Sequence, residues 1–130
     1  SGIALALVRR TSSNIRIKPM ATDTKAELAA MNSRFATLGK AIPGTMGAFQ
    51  KLMGEASKDG ALPAKFKELL AVAIAVHQGC GDCINFHVSN AKSHGASREE
   101  LAEALGVCIE MGGGPGAVYA ARALAAFDGL

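Results

Sequence analysis

The chain has 130 residues, of which 49% are hydrophobic and 5% aromatic, and its formal net charge is +3. This length is enough for one domain with a buried core. Its basic residues are scattered apart from Arg9 and Arg10, whereas nucleic-acid binding needs clustered basic and aromatic side chains. No apolar run approaches the ~20 residues of a membrane span, so neither nucleic acid nor membrane is an expected partner.

Residues 1–21 show weak periodicity and mixed polarity, which predicts an N-terminal arm that contacts a partner subunit. Their positive charges follow the apolar stretch, whereas a secretory signal has the opposite order. Three cysteines are too few, and an odd number, for a secreted disulfide scaffold. We therefore expect a cytoplasmic protein whose folded domain spans residues 22–130.

The domain is predicted to be all-α, because no stretch shows strand alternation between hairpin turns. Residues that cap or break helices delimit about six helical segments, including Gly39, Pro43 and a capping box at Ser97 and Glu100. In chain order the segments run from the cap at 22–24 to Leu38, from Pro43 to about Asp59, from Ala64 to about Gln78, from about Asp82 to His94, from Ser97 to Met111, and from Pro115 to about Phe127. Short links between them favour antiparallel neighbours in a single compact domain.

The third segment is unusual, because Leu69 to Val76 is apolar all round, unlike a surface helix. We expect it at the centre of the domain or against another subunit. Glu68 begins this apolar run, and burying an unpaired charge is costly. Glu68 is therefore predicted to face polar partners inside the domain, although an exposed carboxylate in a first helical turn is the alternative.

Four residues form the spacing E-x11-C-x2-C-x3-H: Glu68, Cys80, Cys83 and His87. Two cysteines three residues apart on a helical turn place their Cα atoms within the ~4.4–6.8 Å that a disulfide requires. His87 follows Cys83 by four residues, so both lie on one helical face. In a reducing compartment such a pair is more often redox-active or metal-binding than structural. Inert buried thiols and a Zn²⁺ site are the alternatives, and the chain offers no second ligand pair for zinc.

With these residues in place, the chain resembles the alkylhydroperoxidase D-like, CxxC-containing branch of the carboxymuconolactone decarboxylase superfamily. The resemblance covers roughly residues 49–127. Its motifs are Asp59-Gly-Ala-Leu-Pro63, the block from Cys80 to His87, Gly95-Ala-Ser97 and Met111-Gly-Gly-Gly-Pro115. It implies an all-α fold that forms homo-oligomers, commonly trimers or hexamers, and thiol-based reduction of hydroperoxides for antioxidant defence.

The resemblance also implies a role for each residue of the pattern. Cys83 would attack a small hydroperoxide, Cys80 would resolve it, His87 would be the base, and Glu68 would orient His87 or relay protons to it. The spacing agrees, since Cys83 is the cysteine one turn from His87. The implied redox group is the Cys80–Cys83 disulfide, with no further cofactor or metal, regenerated by an external dithiol or a partner peroxiredoxin. Where well-known members have histidine before the second cysteine, this chain has Asp82, which raises thiol pKa values unless it caps the following helix.

Two other functions fit parts of the same pattern. The lyase branch of the superfamily decarboxylates ring acids with a base and cationic carboxylate binders, and it needs no cysteine pair. A non-enzymatic oligomer could instead use the disulfide to sense redox state. The intact cysteine pair favours the peroxidase.

Overall fold

The computed structural model describes residues 22–130, and within that range it contains five α-helices and no β-strand. The helices are α1 (Thr24–Ala41), α2 (Pro43–Ser57), α3 (Ala64–Gln78), α4 (Gly81–Ser93) and α5 (Arg98–Asp128). The all-α prediction is confirmed. The predicted arm at residues 1–21 lies outside the described residues.

Two predicted boundaries were wrong. Helix α1 continues through Gly39 to Ala41, because the residue before a proline is the one driven out of helical geometry. Ile42, which precedes Pro43, has φ −135° and ψ 65°. The last two predicted segments form one helix, α5, which is kinked at Gly113 with φ 60° and ψ −140°. The glycine breaks the helix for one residue only, so the sixth segment is the second half of α5.

The predicted capping box at the start of α5 is confirmed. Ser97 Oγ accepts the backbone N–H of Glu100 at 3.0 Å, and Glu100 Oε1 accepts the backbone N–H of Ser97 at 3.0 Å. The bond from the Ser97 backbone holds the pKa of the Glu100 carboxyl below its ordinary value, with further help from Lys65. Two of the orphan donors at this helix end are thereby satisfied.

The hydrophobic core lies between α3, α4 and α5. Its large, fully buried apolar side chains are Val72, Val76, Ile84, Val88 and Leu101. Helices α1 and α2 contribute few buried side chains, namely Thr24, Met31 and Met46. They therefore form a second layer on a three-helix core, and this layer covers the N-terminal end of α4.

The beginning of α1 is fastened to the end of α5. The buried Thr24 hydroxyl donates to the Ala126 carbonyl oxygen at 2.9 Å. Gly129 packs directly against Thr22 and Thr24. A Cβ at position 129 would overlap the Thr22 carbonyl oxygen and lie 2.5 Å from Thr24 Oγ1. The two ends of the described domain therefore meet.

Helix α3 is central, as its apolar sequence predicts, but one of its faces is open. Phe66, Leu70 and Ile74 recur every four residues along this face and are 43–58% exposed. On α5, Val107 and Met111 are also exposed, at 57% and 75%. Among the helices of residues 22–130, none is long and apolar enough to cross a bilayer.

Candidate active site

The turn between α3 and α4 is built around Gly79. Gly79 has φ 67°, the left-handed conformation that glycine adopts most readily. Its N–H bonds to the Val76 carbonyl at 3.2 Å, and the N–H of Cys80 bonds to the Ala75 carbonyl at 3.0 Å. This is the Schellman pattern, which ends one helix and turns the chain sharply. The ring of Tyr119 packs on the turn, at 3.2 Å from where a Gly79 Cβ would lie.

The two cysteines lie at the first turn of α4. Cys80 is the N-cap residue, and its Sγ accepts the backbone N–H of Cys83 at 3.3 Å. The two residues are joined by a disulfide with a Cα–Cα distance of 5.2 Å, which is within the range that the spacing predicts. Both are half-buried. A helix N-terminus favours negative charge, so either sulfur would be stabilised as a thiolate after reduction.

Glu68 of α3 and His87 of α4 form a hydrogen-bonded pair. Glu68 Oε2 is 2.8 Å from His87 Nδ1, and Glu68 is 4% exposed. The expectation of a buried, partnered Glu68 is confirmed, and the alternative of an exposed carboxylate was wrong. Because a carboxylate accepts the Nδ1 proton, the other ring nitrogen is left to accept a proton from elsewhere.

A cavity of about 530 Å³ lies between α1, α2 and α4 and reaches Cys80, Cys83 and His87. Most of its lining is apolar, and the apolar side chains are Met31, Phe35, Leu38, Met46, Phe49, Met53 and Phe86. Its polar lining residues are Asn32, Arg34, Gln50, Asp82 and His87. The layer formed by α1 and α2 thus encloses the cysteine pair in a largely apolar space.

A second cavity, of about 410 Å³, lies on the other side of His87 and is lined by more polar side chains. Lys67, Glu68 and Asn90 face it, and Phe86 and His87 line both cavities. The imidazole therefore stands between the thiol cavity and the space around its own carboxylate partner.

The model of the carboxymuconolactone decarboxylase family matches residues 43–126. The chain belongs to this family. A solved structure of a carboxymuconolactone decarboxylase family protein from Legionella pneumophila superposes with a TM-score of 0.78 at 43% sequence identity, covering 81% of this chain and 94% of that one.

Curated relatives extend the family match over most of the described residues. An uncharacterized protein of Cupriavidus necator is 57% identical over 111 residues, which is 85% of this chain and 98% of the relative. An uncharacterized protein of Haemophilus influenzae is 38% identical over 109 residues, which is 84% of this chain and 96% of the relative. The family is thus shown by sequence and by fold, and the cysteine pair is compatible with its alkylhydroperoxidase-like branch.

Within the family fold, one of the two roles predicted for Asp82, the capping of α4, is wrong. Asp82 does not cap α4, because that position belongs to Cys80. Instead, Asp82 Oδ2 accepts a hydrogen bond from Arg34 Nη2 of α1 at 3.1 Å. Sequence reasoning missed Arg34, since a single arginine 48 residues away in another helix belongs to no recognisable motif.

The remaining cysteine, Cys108, is separate from this site. It is buried in the core, and its Sγ lies 3.4 Å from the Ala104 carbonyl oxygen. Burial raises the pKa of the Cys108 thiol. In residues 22–130, no three histidine, cysteine or acidic side chains converge as a metal-binding group.

Proposed function

We propose that this protein is a thiol-dependent hydroperoxide reductase. The observation that carries the proposal is the position of the Cys80–Cys83 pair, at the N-terminus of α4 and in one apolar cavity with the glutamate-bound His87. Family membership allows this activity, and the retained cysteine pair favours it over the branch that needs no thiols.

In the oxidative half, Cys83 is the attacking thiolate and His87 the base that accepts its proton. The sulfur attacks the terminal oxygen of the hydroperoxide, the O–O bond breaks, and the alcohol leaves with a proton returned by His87. Cys83 is then a sulfenic acid. The Cys80 thiol gives up its proton and attacks the Cys83 sulfur, the sulfenic hydroxyl leaves with that proton as water, and the disulfide forms.

In the reductive half, an external dithiol, or the thiols of a partner peroxiredoxin, reduces the Cys80–Cys83 disulfide to two thiols. One external thiolate attacks Cys83 sulfur, which breaks the S–S bond and releases Cys80 as a thiolate. The Cys83 backbone N–H already points at Cys80 Sγ at 3.3 Å, so the departing anion gains a hydrogen bond and the helix dipole. The second external thiol then closes the partner's own disulfide and frees Cys83.

The substrate is expected to be a small organic hydroperoxide. A cavity of about 530 Å³ is within the range for small-molecule sites. Its methionine and phenylalanine side chains favour a hydroperoxide with an apolar organic group over hydrogen peroxide, because binding the organic group removes apolar surface from water.

The deciding experiment measures thiols and peroxide together. Reduced protein mixed with one equivalent of an organic hydroperoxide should consume it and lose two titratable thiols. Cys83→Ser should abolish consumption, whereas Cys80→Ser should still consume one equivalent and stop at the sulfenic acid. Cys108→Ala is the matched control, since it removes a thiol outside the site and should leave the loss of two thiols unchanged. Full consumption by Cys83→Ser would refute the role of Cys83, and slow oxidation without turnover would indicate redox sensing instead.

Glu68 is proposed to act through His87. Glu68→Gln keeps the size of the side chain but removes the charge that favours the Nδ1 proton. We expect the rate of peroxide reduction to fall about tenfold, less than the ~10²–10⁴ of a general base itself. The pH profile should also change, because the glutamine amide still accepts the Nδ1 hydrogen bond but cannot balance a positive charge on the ring. A variant with wild-type rate at every pH would show that the pair is structural.

A lyase remains the second candidate, because the cavity holds both a base, His87, and a cation, Arg34. These are the groups that decarboxylation of a muconolactone-type acid requires. The guanidinium is already paired with Asp82, which leaves less charge for a substrate carboxylate. Loss of substrate ultraviolet absorbance by protein with alkylated Cys80 and Cys83 would establish the lyase and overturn the preference for peroxidase.

We further propose that the protein forms homo-oligomers through the open face of α3. The exposed side chains Phe66, Leu70 and Ile74 make a continuous apolar strip, and strips of this kind mark association surfaces. Leu70→Glu should lower the mass measured by light scattering to that of a smaller species. Glu103→Gln, which also changes the charge by one unit and lies on an exposed residue of α5, is the control and should leave the mass unchanged.

A further inference from the structure

We propose that Arg34 is a positioning residue for the Cys80–Cys83 pair. Its guanidinium holds the Asp82 carboxylate in an ion pair and neutralises the negative charge next to the two cysteines. The inference concerns the same site as the proposed peroxidase and rests on its redox role. It assigns a function to α1, which supplies no cysteine, histidine or buried acid to the site.

The geometry starts from the place of Asp82 in the chain. It lies between the two cysteines in the first turn of α4 and lines the same cavity as both of them. An acidic group there opposes thiolate formation by like-charge repulsion. The helix N-terminus favours the thiolate, and an uncompensated Asp82 would cancel part of that benefit.

Arg34 supplies the compensation from a different helix. Its Nη2 is 3.1 Å from Asp82 Oδ2, and the two side chains are 62% and 57% exposed. An ion pair this exposed adds little to the stability of the fold. Its effect on the cysteines is separate from stability, because it changes the net charge of the group beside them from −1 to about zero.

No other cation takes this place along the cavity wall. Within the described residues, and apart from the cysteines, the ionisable side chains that line the thiol cavity are Arg34, Asp82 and His87. His87 is hydrogen-bonded to Glu68, so Arg34 is the group in this cavity that balances the negative charge of Asp82. Helix α2 brings methionine, phenylalanine and glutamine to the cavity but no charge.

A second contact keeps α1 in register with α4. Asn85, one turn after Asp82, donates through Nδ2 to Glu27 Oε2 at 2.5 Å. Glu27 lies seven residues before Arg34, two helical turns away on the same face of α1. Two side-chain pairs thus connect the same faces of α1 and α4. The second pair fixes the position of α1 along α4, so that Arg34 lies opposite Asp82.

The test measures thiolate formation without any peroxide. Reduced protein is alkylated with iodoacetamide between pH 5 and 10, and each cysteine is followed by peptide mass spectrometry. In Arg34→Gln the apparent pKa of the reactive thiol should rise by about half a unit, which is about a threefold slower alkylation at neutral pH. The disulfide should also become harder to reduce in a glutathione redox buffer, since the reduced form loses stabilisation.

Three variants make the interpretation specific. Lys40→Gln removes one positive charge from an exposed position at the end of α1 and should leave the thiol pKa unchanged. Asp82→Asn should keep or increase thiol reactivity. In the Asp82→Asn background, Arg34→Gln should have little effect, because the carboxylate it neutralises is gone.

An unchanged thiol pKa in Arg34→Gln, or an equal rise with and without Asp82, would overturn the inference. These readouts do not depend on turnover. If the wild-type protein fails to consume hydroperoxide while Arg34→Gln still shifts the thiol pKa, the proposed peroxidase fails and the role of Arg34 stands. If the wild-type protein consumes peroxide normally and Arg34→Gln has no effect, the role of Arg34 fails and the peroxidase stands.

Discussion

The turn at Gly79 offers a direct test of how the cysteine pair is positioned. Gly79 has φ 67°, and an L-residue in this left-handed region costs roughly 1–2 kcal/mol. An alanine Cβ would also lie 3.2–3.3 Å from three atoms of the Tyr119 ring. That ring is half-buried and can tilt by a few tenths of an ångström, so it adds on the order of 0.5 kcal/mol. Alanine also lowers the conformational entropy of the unfolded chain, which stabilises the folded state by a similar amount and offsets the contribution of the ring.

Gly79→Ala should therefore destabilise the oxidised protein by about 1–2 kcal/mol, which corresponds to a fall in Tm of roughly 4–8 °C for a domain of this size. Thermal unfolding followed by circular dichroism, at one protein concentration and in the oxidised state, measures it. Gly79→Asn should lose less, since asparagine is the side chain best tolerated in this conformation. Adding Tyr119→Leu should reduce the cost of Gly79→Ala by the contribution of the ring alone.

The matched control is Gly106→Ala in the middle of α5. Its Cβ would meet nothing within 4 Å, and its φ is not in the positive range. Alanine in an open helical position stabilises by up to about 1 kcal/mol. If Gly79→Ala were as stable as Gly106→Ala, the left-handed turn before Cys80 could not be as described.

Three further outcomes are expected. Gly116→Ala should lower the free energy of unfolding by roughly 3 kcal/mol, because its Cβ would lie 2.5 Å from the backbone oxygen of Cys108 and backbone atoms cannot move aside easily. The control is Gly114→Ala, where the Cβ meets nothing within 4 Å. Equal urea midpoints for the two variants would contradict the prediction. Burial raises the pKa of the Cys108 thiol, so the fully reduced protein should show two fast thiols and one slow one on alkylation. The urea midpoint should also fall above about pH 8.5, where the unfolded thiol ionises before the folded one, and Cys108→Ala should lose this dependence. The hydrogen bond from Arg98 holds the pKa of Asp128 below its ordinary value, so its stabilisation is present above about pH 4 and is lost as the pH falls; an NMR titration should show the Asp128 pKa return to normal in Arg98→Gln.

The parts of the fold that sequence predicted are those set by local chemistry. Ser97 and Glu100 form their capping box within four residues, and α3 runs from Ala64 to Gln78 as predicted. For Glu68, the sequence predicted polar partners inside the domain because an unpaired buried charge is costly, and the family resemblance implied that His87 is the partner. The capping box and the helix end are set within one or two turns of chain, whereas the Glu68–His87 pair joins residues 19 positions apart on α3 and α4.

The parts that sequence missed depend on tertiary geometry. Gly39 could end a helix, yet nothing in the fold requires it to, and Pro43 decides the boundary instead. Capping of α4 was one of the two roles predicted for Asp82, but Cys80 occupies the cap position and Arg34 reaches Asp82 from 48 residues away in another helix. Periodicity and spacing along one chain carry no information about which faces of α1 and α4 oppose each other.

The bond between Thr24 and Ala126 has a consequence for the order in which the helices could be connected. Because the two ends of the domain meet there, a short linker could join them, and the chain could be opened instead in the exposed link at residues 58–62. Such a circular permutant should keep the fold, since new ends are tolerated at exposed links. It would carry α1 and α2 at its C-terminal end, where the part of the cavity wall that these two helices supply could be replaced without altering the three core helices.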